Sequence, residues 1–368
     1  MAKRRANNEG SLFYSDTEKC WIAEIVLPDG RERRKRSKKQ QVVKEWLLTQ
    51  RDAVRDGLVV EDDKLTLGQF LDRYMSDTAS HNLRPKTLEA YEALIRLHIK
   101  PELGEIRLTQ LRPDHLQALY SQKRNAGLSN RTVQFIHSII HKVLGQAMKW
   151  GLVMRNVADL VEKPIVKRKA PEIWSTEQIN IFLKAVKDHR FYPIYVLAVA
   201  GGFREGEVLG IHFEDIDWQN GIINVRHAVQ YLIGKGVVLT EPKTEKAKRP
   251  VPLPEFALRV LKDHCDSQNR NQGFIFITSN LTPYSPRNLI RHFKQVIEET
   301  GLPEIRFHDL RHYHASFLLS QGINPKIVQE RLGHSSIVLT MDTYSHTTPS
   351  LQKEAAIKAN EMFKSVGI

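Results

Sequence analysis

Residues 306–314 read R-F-H-D-L-R-H-Y-H, and residues 331–346 read R-L-G-H-S-S-I-V-L-T-M-D-T-Y-S-H. In the first stretch His308 and Arg311 are three apart, so on a helix predicted over 308–321 they share one face. One of them can hold a phosphate oxygen while the other moves a proton or donates a hydrogen bond. In the second stretch Gly333 ends a helix predicted over 325–332, and the serines after His334 open another over 337–344. An imidazole beside a helix N-terminus is well placed for an anion. Tyr344 closes the stretch. A tyrosine hydroxyl, with an ordinary pKa of about 10, attacks poorly at neutral pH unless a base and positive charge stand beside it. The pattern therefore asks for further cations upstream.

Two segments supply them. In G-G-F-R-E-G-E-V-L-G an apolar helix over 192–201 ends in two glycines, and Arg204 starts the next helix. Glu207, three residues on, can orient its guanidinium as a supporting carboxylate, although an ordinary surface ion pair has the same spacing. In T-E-P-K-T-E-K-A-K-R-P-V-P-L-P, β-type runs at 237–243 and 249–252 flank a lysine-rich tip, which predicts a hairpin. A lysine there can reach a reacting centre as a general acid. On spacing alone Lys243, Lys246 and Lys248 are equivalent. His308, His312 and His314 form H-x-x-x-H-x-H, a spacing that invites zinc. No cysteine or carboxylate set completes such a site, and Arg311 would put a positive charge beside the ion, so no metal is expected. His312 is read as supporting the helix and His314 as structural.

Taken in order, Arg204, Lys243, His308, Arg311, His334 and Tyr344 resemble the catalytic set of the tyrosine recombinases, the family of the lambda-type phage integrases. The string P-K-T before a strand is what singles out Lys243. The likeness runs from about 175 to 344, and the six motifs in that order are specific where each alone is weak. It implies a transesterification that needs neither metal nor ATP nor any other cofactor. Tyr344 attacks the scissile phosphate and leaves a 3′-phosphotyrosyl enzyme and a free 5′-hydroxyl. Arg204 and Arg311 stabilise the pentavalent transition state, and Lys243 protonates the leaving oxygen. His308 serves the tyrosine as base or acid, and His334 hydrogen-bonds the phosphate. The implied partners are double-stranded DNA, with core and arm attachment sites, and three further copies in a homotetramer that exchanges strands through a Holliday junction. Accessory DNA-bending or excision-factor proteins are also implied. Two other readings share part of the pattern: a type IB topoisomerase that relaxes supercoils, and a non-catalytic DNA-binding regulator.

The rest of the chain is consistent with a polyanionic partner. Its 368 residues carry 55 Lys and Arg against 42 Asp and Glu, a net charge of +13, with a pI near 9.6. Such a balance favours nucleic acid first and an anionic membrane second. Hydrophobic residues make up 41% and charged residues 26%, which excludes wholesale disorder. Cys20 and Cys265 are too few and too far apart for a disulfide framework or a metal cluster. They suit a reducing compartment, and a bacterial cytoplasm with the protein on the nucleoid is the expected setting. Neither a secretory leader nor a membrane-length apolar run is legible.

The expected fold is a multidomain α+β chain. Residues 1–60 read as a small three-stranded β-sheet plus helix, with strands at 11–15, 20–27 and 31–37 and a helix over 38–56 whose apolar face carries Val42, Trp46, Leu47 and Val54. Basic residues outnumber acidic ones there. Arg31, Arg33, Arg34, Lys35 and Arg36 are the candidates for contacting DNA, although a solvated strand edge can be equally basic, and the resemblance of this segment to the arm-binding domain of integrases implies arm-type sites. Residues 64–163 read as all-helical, opened by the capping box Thr66–Gln69, and resemble the family's core-binding domain, with Lys86, Arg131 and Lys142 as DNA-binding candidates. Residues 172–368 read as the catalytic domain, mixed but mainly α, with a small antiparallel sheet. Strands are predicted over 222–229, 237–243, 249–252 and 274–278. Beyond Tyr344, residues Leu351, Ala355, Ala359 and Met362 form one helical stripe, which would pack on its own domain or on a neighbouring copy.

Overall fold

The computed structural model describes residues 10–26, 32–55, 64–166, 172–241, 247–334, 336–337, 356–357 and 360–361. The chain divides into two compact units, 1–167 and 168–368. Together they form the mixed, mainly helical α+β architecture that the sequence predicts.

The first unit begins with β1 (Ser11–Ser15), β2 (Cys20–Val26) and β3 (Glu32–Ser37), an antiparallel sheet in that order. Alternation in C-W-I-A-E-I-V sends Ala23 and Ile25 to one face, where they pack on Val43 and Leu47 of α1 (Gln40–Arg55). The register pairs Ile25 with Arg33 and Ala23 with Lys35, so these two basic side chains stand on the helix side. Arg34 and Arg36, opposite Glu24 and Ile22, stand on the other side. The sequence reading put Val42 on the buried face of α1. It is 41% exposed, and Val43 takes its place, because Val43 and Leu47 share a stripe four residues apart.

The remainder of this unit is helical. Thr66 caps α2 (Leu67–Tyr74): its hydroxyl accepts from the Gln69 N–H at 3.3 Å, and the Gln69 side chain accepts from the Thr66 N–H at 3.0 Å. Caps of this kind contribute about 1 kcal/mol. A π turn over Met75–Ala79 leads into α3 (Ser80–Asn82). Pro85 opens α4 (Pro85–Leu94), where its missing N–H costs no hydrogen bond, and a second π turn leads to α5 (Lys100–Leu103). Two longer helices, α6 (Pro113–Asn125) and α7 (Asn130–Lys149), complete a single core that includes Phe70, Tyr74, Ile99, Leu116, Ile136 and Val143. Within it the Tyr120 hydroxyl is paired with His137 Nδ1 at 3.0 Å.

In the second unit Ser175 caps α8 (Thr176–Ala185) through a capping box with Gln178. Then α9 (Tyr192–Gly201), apolar with no polar stripe, is buried from Pro193 to Ala198. Next come α10 (Glu205–Leu209), β4 (Ile216–Asp217), β5 (Ile222–Val225), β6 (Ala228–Leu232), β7 (Gly236–Thr240) and β8 (Arg249–Pro252). Then follow α11 (Glu255–Asp266), α12 (Pro286–Thr300), α13 (Phe307–Ser320) and α14 (Pro325–Leu332).

Three local expectations change here. The apolar run over 222–229 is two strands, broken at Arg226 and His227, and the halves join different sheets: β4-β5-β8 and β6-β7, all antiparallel. The runs flanking the lysine-rich tip are consequently not one hairpin, since β7 pairs with β6 and β8 with β5. Residues 274–278 contribute only isolated bridges, His212 with Phe274 and Ile277 with Pro283. Of the helix expected over 337–344 only Ile337 is described, and the Leu351–Met362 stripe lies outside the described residues. No helix among the described residues is long and apolar enough to cross a membrane.

Candidate active site

Helix α9 ends at Gly202, whose φ of +66° is left-handed. A Cβ there would stand 2.7 Å from the His314 ring and 2.8 Å from Leu332, so glycine is required by both backbone and space. The chain then turns and presents Arg204 at the N-cap of α10. Glu207, in the first turn, reaches back: one carboxylate oxygen accepts from the Arg204 N–H at 3.0 Å and the other from its guanidinium. The Arg204 guanidinium also donates to the Gly333 carbonyl at 3.4 Å, and its side chain keeps 35% of its surface open. A second guanidinium, Arg249 of β8, closes on Glu207 bidentately at 3.1 and 2.9 Å. Burial alone would push this carboxyl up. The Arg249, Arg204 and Arg311 charges overcome it and hold Glu207 down at about 2.

Arg311 lies on α13 and is 1% exposed. It donates to the Gly202 carbonyl at 2.7 Å and to the Leu332 carbonyl. His314, one turn on, uses Nδ1 on the Val199 carbonyl at 2.9 Å, and the Arg331 Nε donates to its Nε2 at 2.9 Å. Arginine can only donate, so Nε2 is an acceptor and the proton sits on Nδ1. Arg331 also takes the Ala200 carbonyl at 3.2 Å. The orphan carbonyls at the end of α9 are thus held by side chains from α13 and α14.

His308 and His334 complete the cluster. Glycine at 333, with φ of +64°, turns the chain out of α14, and Gln329 holds the His334 carbonyl at 3.1 Å. Desolvation, then Arg311, Arg204, His312 and His308, push His334 down to about 3. His308 is exposed, and its ring lies 5.0 Å from that of His312. Desolvation together with His312, Arg311 and Arg204 holds it below the usual imidazole range. Both rings are neutral at pH 7, so each keeps a lone pair to accept a proton and an N–H to donate.

The same shifts predict acid sensitivity. Burial and then Arg331 push His314 down to about 3. A histidine depressed in the folded chain stabilises it fully above its ordinary pKa of about 6.5 and loses that contribution as pH falls toward the folded value. Between pH 6.5 and 5 the buried His314 alone accounts for about 2 kcal/mol. His334 and His292, the latter pushed down to about 4 by desolvation and then His189, act in the same direction. Glu205, raised to about 7 by desolvation, opposes them. The thermal unfolding midpoint should fall from pH 7 to pH 5, and less steeply in His314→Gln. A midpoint flat across that range in the unaltered protein would contradict the assignment.

The structure therefore brings Arg204, Glu207, His308, Arg311 and His334 to one place. Lys243, Tyr344 and Arg31 lie outside the described residues. His314 faces away into the Arg331 contact, so the three histidines of α13 are not one cluster. Among the described residues no group of three His, Cys, Asp or Glu is arranged to hold a metal ion. In the first unit Arg33 bonds Gln50 at 3.0 Å, Arg36 pairs with Glu18 at 3.0 Å, Arg34 pairs with Glu24, and Lys35 is exposed. Lys86 pairs with Glu89 at 3.1 Å, Lys142 stands 5.9 Å over the Tyr91 ring, and Arg131 borders a groove between α4 and α7 with Ala93 and Phe135. Sequence reasoning missed Arg249 and Arg331. Arg249 carried one signal, a charged residue at the inward phase of a strand in step with Val251.

Two family models match the chain: the phage integrase family over residues 173–350, and the N-terminal SAM-like domain of phage integrases over 66–123. A "Tyrosine recombinase XerC-like" protein of Caldanaerobacter subterraneus subsp. tengcongensis is 27% identical over 342 residues, covering 85% of this chain and 87% of that relative. Among solved structures, the Tn1549 transposon integrase (residues 82–397) in complex with a circular intermediate DNA superposes with a TM-score of 0.70 at 21% identity, covering 80% of this chain and 99% of that one. A lambda integrase tetramer bound to a Holliday junction superposes with a TM-score of 0.58 at 18% identity, covering 91% and 97%.

Proposed function

The chain belongs to the phage integrase family, and we propose on that footing that it is a site-specific recombinase that integrates and excises a phage or other mobile element. The observation that carries the reading is the meeting of two guanidiniums and two neutral imidazoles, Arg204, Arg311, His308 and His334, on elements drawn from α10, α13 and the end of α14. That set fits one phosphodiester. The open Arg204 takes a non-bridging oxygen, and the buried Arg311 adds charge from beneath, where low dielectric strengthens it. Tyr344 Oη bonds to phosphorus as the bond from phosphorus to the 5′ oxygen breaks. Its proton passes to His308, Lys243 gives one to the departing oxygen, and His334 donates to the phosphate. The phosphodiester energy is kept in the phosphotyrosine, so a 5′-hydroxyl of a partner strand reverses the step without metal or nucleotide.

In this reading residues 172–368 are the catalytic domain, 64–163 clasp the core site, and 1–60 hold arm-type DNA. The split of basic residues in β3 supports the last assignment: Arg34 and Arg36 face away from α1, as a groove-facing surface requires. The solved relatives in complex with DNA support duplex DNA as partner, and the lambda tetramer supports four copies at a junction. Bending or excision factors complete the assembly, in the cytoplasm of a bacterial host and on its nucleoid. A supercoiled plasmid bearing the DNA that flanks the coding region tests the reading. Recombinant circles are expected with that insert and not without it. Efficient relaxation of both plasmids with no recombinants would make the protein a type IB topoisomerase instead.

A further inference from the structure

We infer that Arg249 is a positioning residue, which sets Arg204 against the turn bearing His334 by clamping Glu207 and the Arg331 carbonyl with one buried guanidinium. The inference rests on the proposed recombinase reading and deepens it. Arg249 Nη1 donates to Glu207 at 3.1 Å and to the Ala247 carbonyl at 2.9 Å, Nη2 to Glu207 at 2.9 Å, and Nε to the Arg331 carbonyl at 2.6 Å. Glu207 holds Arg204, and Arg204 holds the Gly333 carbonyl. The contacts close a ring: Arg249, Glu207, Arg204, then the 331–333 turn, and back to Arg249. Its members come from β8, α10 and the end of α14, so the ring fixes the open phosphate-binding arginine and the chain leading into His334 in one frame.

Geometry and charge act together here. A planar fork can grip a carboxylate with two nitrogens and still aim Nε at a third acceptor, whereas an ammonium cannot. Glu207 is faced by Arg204 from its own helix, Arg249 from β8 and Arg311 from α13. Arg249 is the largest of the influences that keep this buried carboxyl ionised. Without it the desolvation penalty meets weaker opposition, the carboxyl takes up a proton at higher pH, and its grip on Arg204 slackens.

Single-turnover formation of the covalent adduct on a nicked duplex, followed from pH 6 to 9, tests this. Arg249→Gln is expected to cleave on the order of 10²-fold more slowly at pH 7, the penalty for a misplaced reacting group. It should recover as pH rises and ionises Glu207. Adding Glu207→Gln should leave the rate low and remove that recovery. Arg249→Lys should restore the unaltered pH profile but stay about tenfold slow, for want of the Nε contact. Duplex affinity should be unchanged throughout. Equal losses in Arg249→Lys and Arg249→Gln with the unaltered profile, or losses that follow the unfolding midpoint alone, would overturn the inference. If Arg249→Gln does not fold, Arg249→Lys decides by its rate, and full activity overturns it. An absent adduct with the unaltered protein would count against the recombinase reading itself and not against Arg249.

Discussion

Tyr344→Phe should abolish the covalent protein–DNA adduct on a nicked suicide substrate and leave duplex binding unchanged. The substitution removes one oxygen. The ring, its packing and the net charge at neutral pH stay the same, so whatever the side chain contributes to folding or affinity is kept. What is lost is the atom that would bond to phosphorus, and no other group in the cluster can replace it with a stable link. The imidazoles would act on protons, and the guanidiniums cannot give one up in the accessible pH range. Denaturing electrophoresis of labelled DNA reads the adduct, and a mobility shift reads binding. An undiminished adduct in the variant would remove Tyr344 as nucleophile, whereas loss of both signals would assign it to the structure.

Arg311→Met should damage both the fold and the chemistry. The guanidinium is buried and serves two backbone carbonyls, those of Gly202 and Leu332. Methionine fills the volume but donates nothing, and each buried carbonyl left unpaired costs about 1–3 kcal/mol. A loss of roughly 3 kcal/mol in urea unfolding is therefore expected. In variant molecules that remain folded, cleavage should still fall by about 10²–10³-fold, the usual cost of removing one preorganised charge from a transition state. The two effects separate when adduct formation is measured well below the unfolding transition. Cleavage at the unaltered rate in folded Arg311→Met would reduce the residue to a carbonyl cap. Arg311→Lys should keep part of the catalytic contribution, but one ammonium cannot repeat a fork aimed at two carbonyls.

What could be read in advance divides by the range of the interaction. The boxes Thr66–Gln69 and Ser175–Gln178 and the pair Arg204–Glu207 span three residues, and helix geometry alone brings each pair together. His308 and Arg311 belong to the same class. Arg249 does not. Its carboxylate partner lies 42 residues earlier and its carbonyl partner 82 residues later, and the one local signal, its phase with Val251, marks it as inward without naming what it meets. The strand run over 222–229 was misjudged for a related reason. Its inward apolar positions Ile223, Val225 and Val229 keep one phase across Arg226 and His227, and only the choice of partner, β8 for one half and β7 for the other, makes that polar pair a break. Helix α11 was legible and not read, since Ala257, Leu261 and Cys265 form its buried stripe at a spacing of four. The resemblance to a family gave the roles of Lys243 and Tyr344, which spacing could not.

The close seat of Gly202 bears on how such a chain can drift. Its φ of +66° and the approach of His314 and Leu332 to within 2.7 and 2.8 Å of any Cβ make this position the last of the three that can change. A lineage that exchanged the glycine first would push apart the segments carrying Arg204, Arg311 and His334 at once. One that first shortened His314 would lose the acceptor for Arg331. Steps in this corner are therefore ordered: Arg331 must find a new partner, then 314 and 332 must shrink, and only then is there room for a side chain at 202, where the left-handed φ still favours glycine. Random substitution libraries across these four sites should yield folded survivors in combinations that respect this order, so the history of the site is constrained by steric sequence as well as by chemistry.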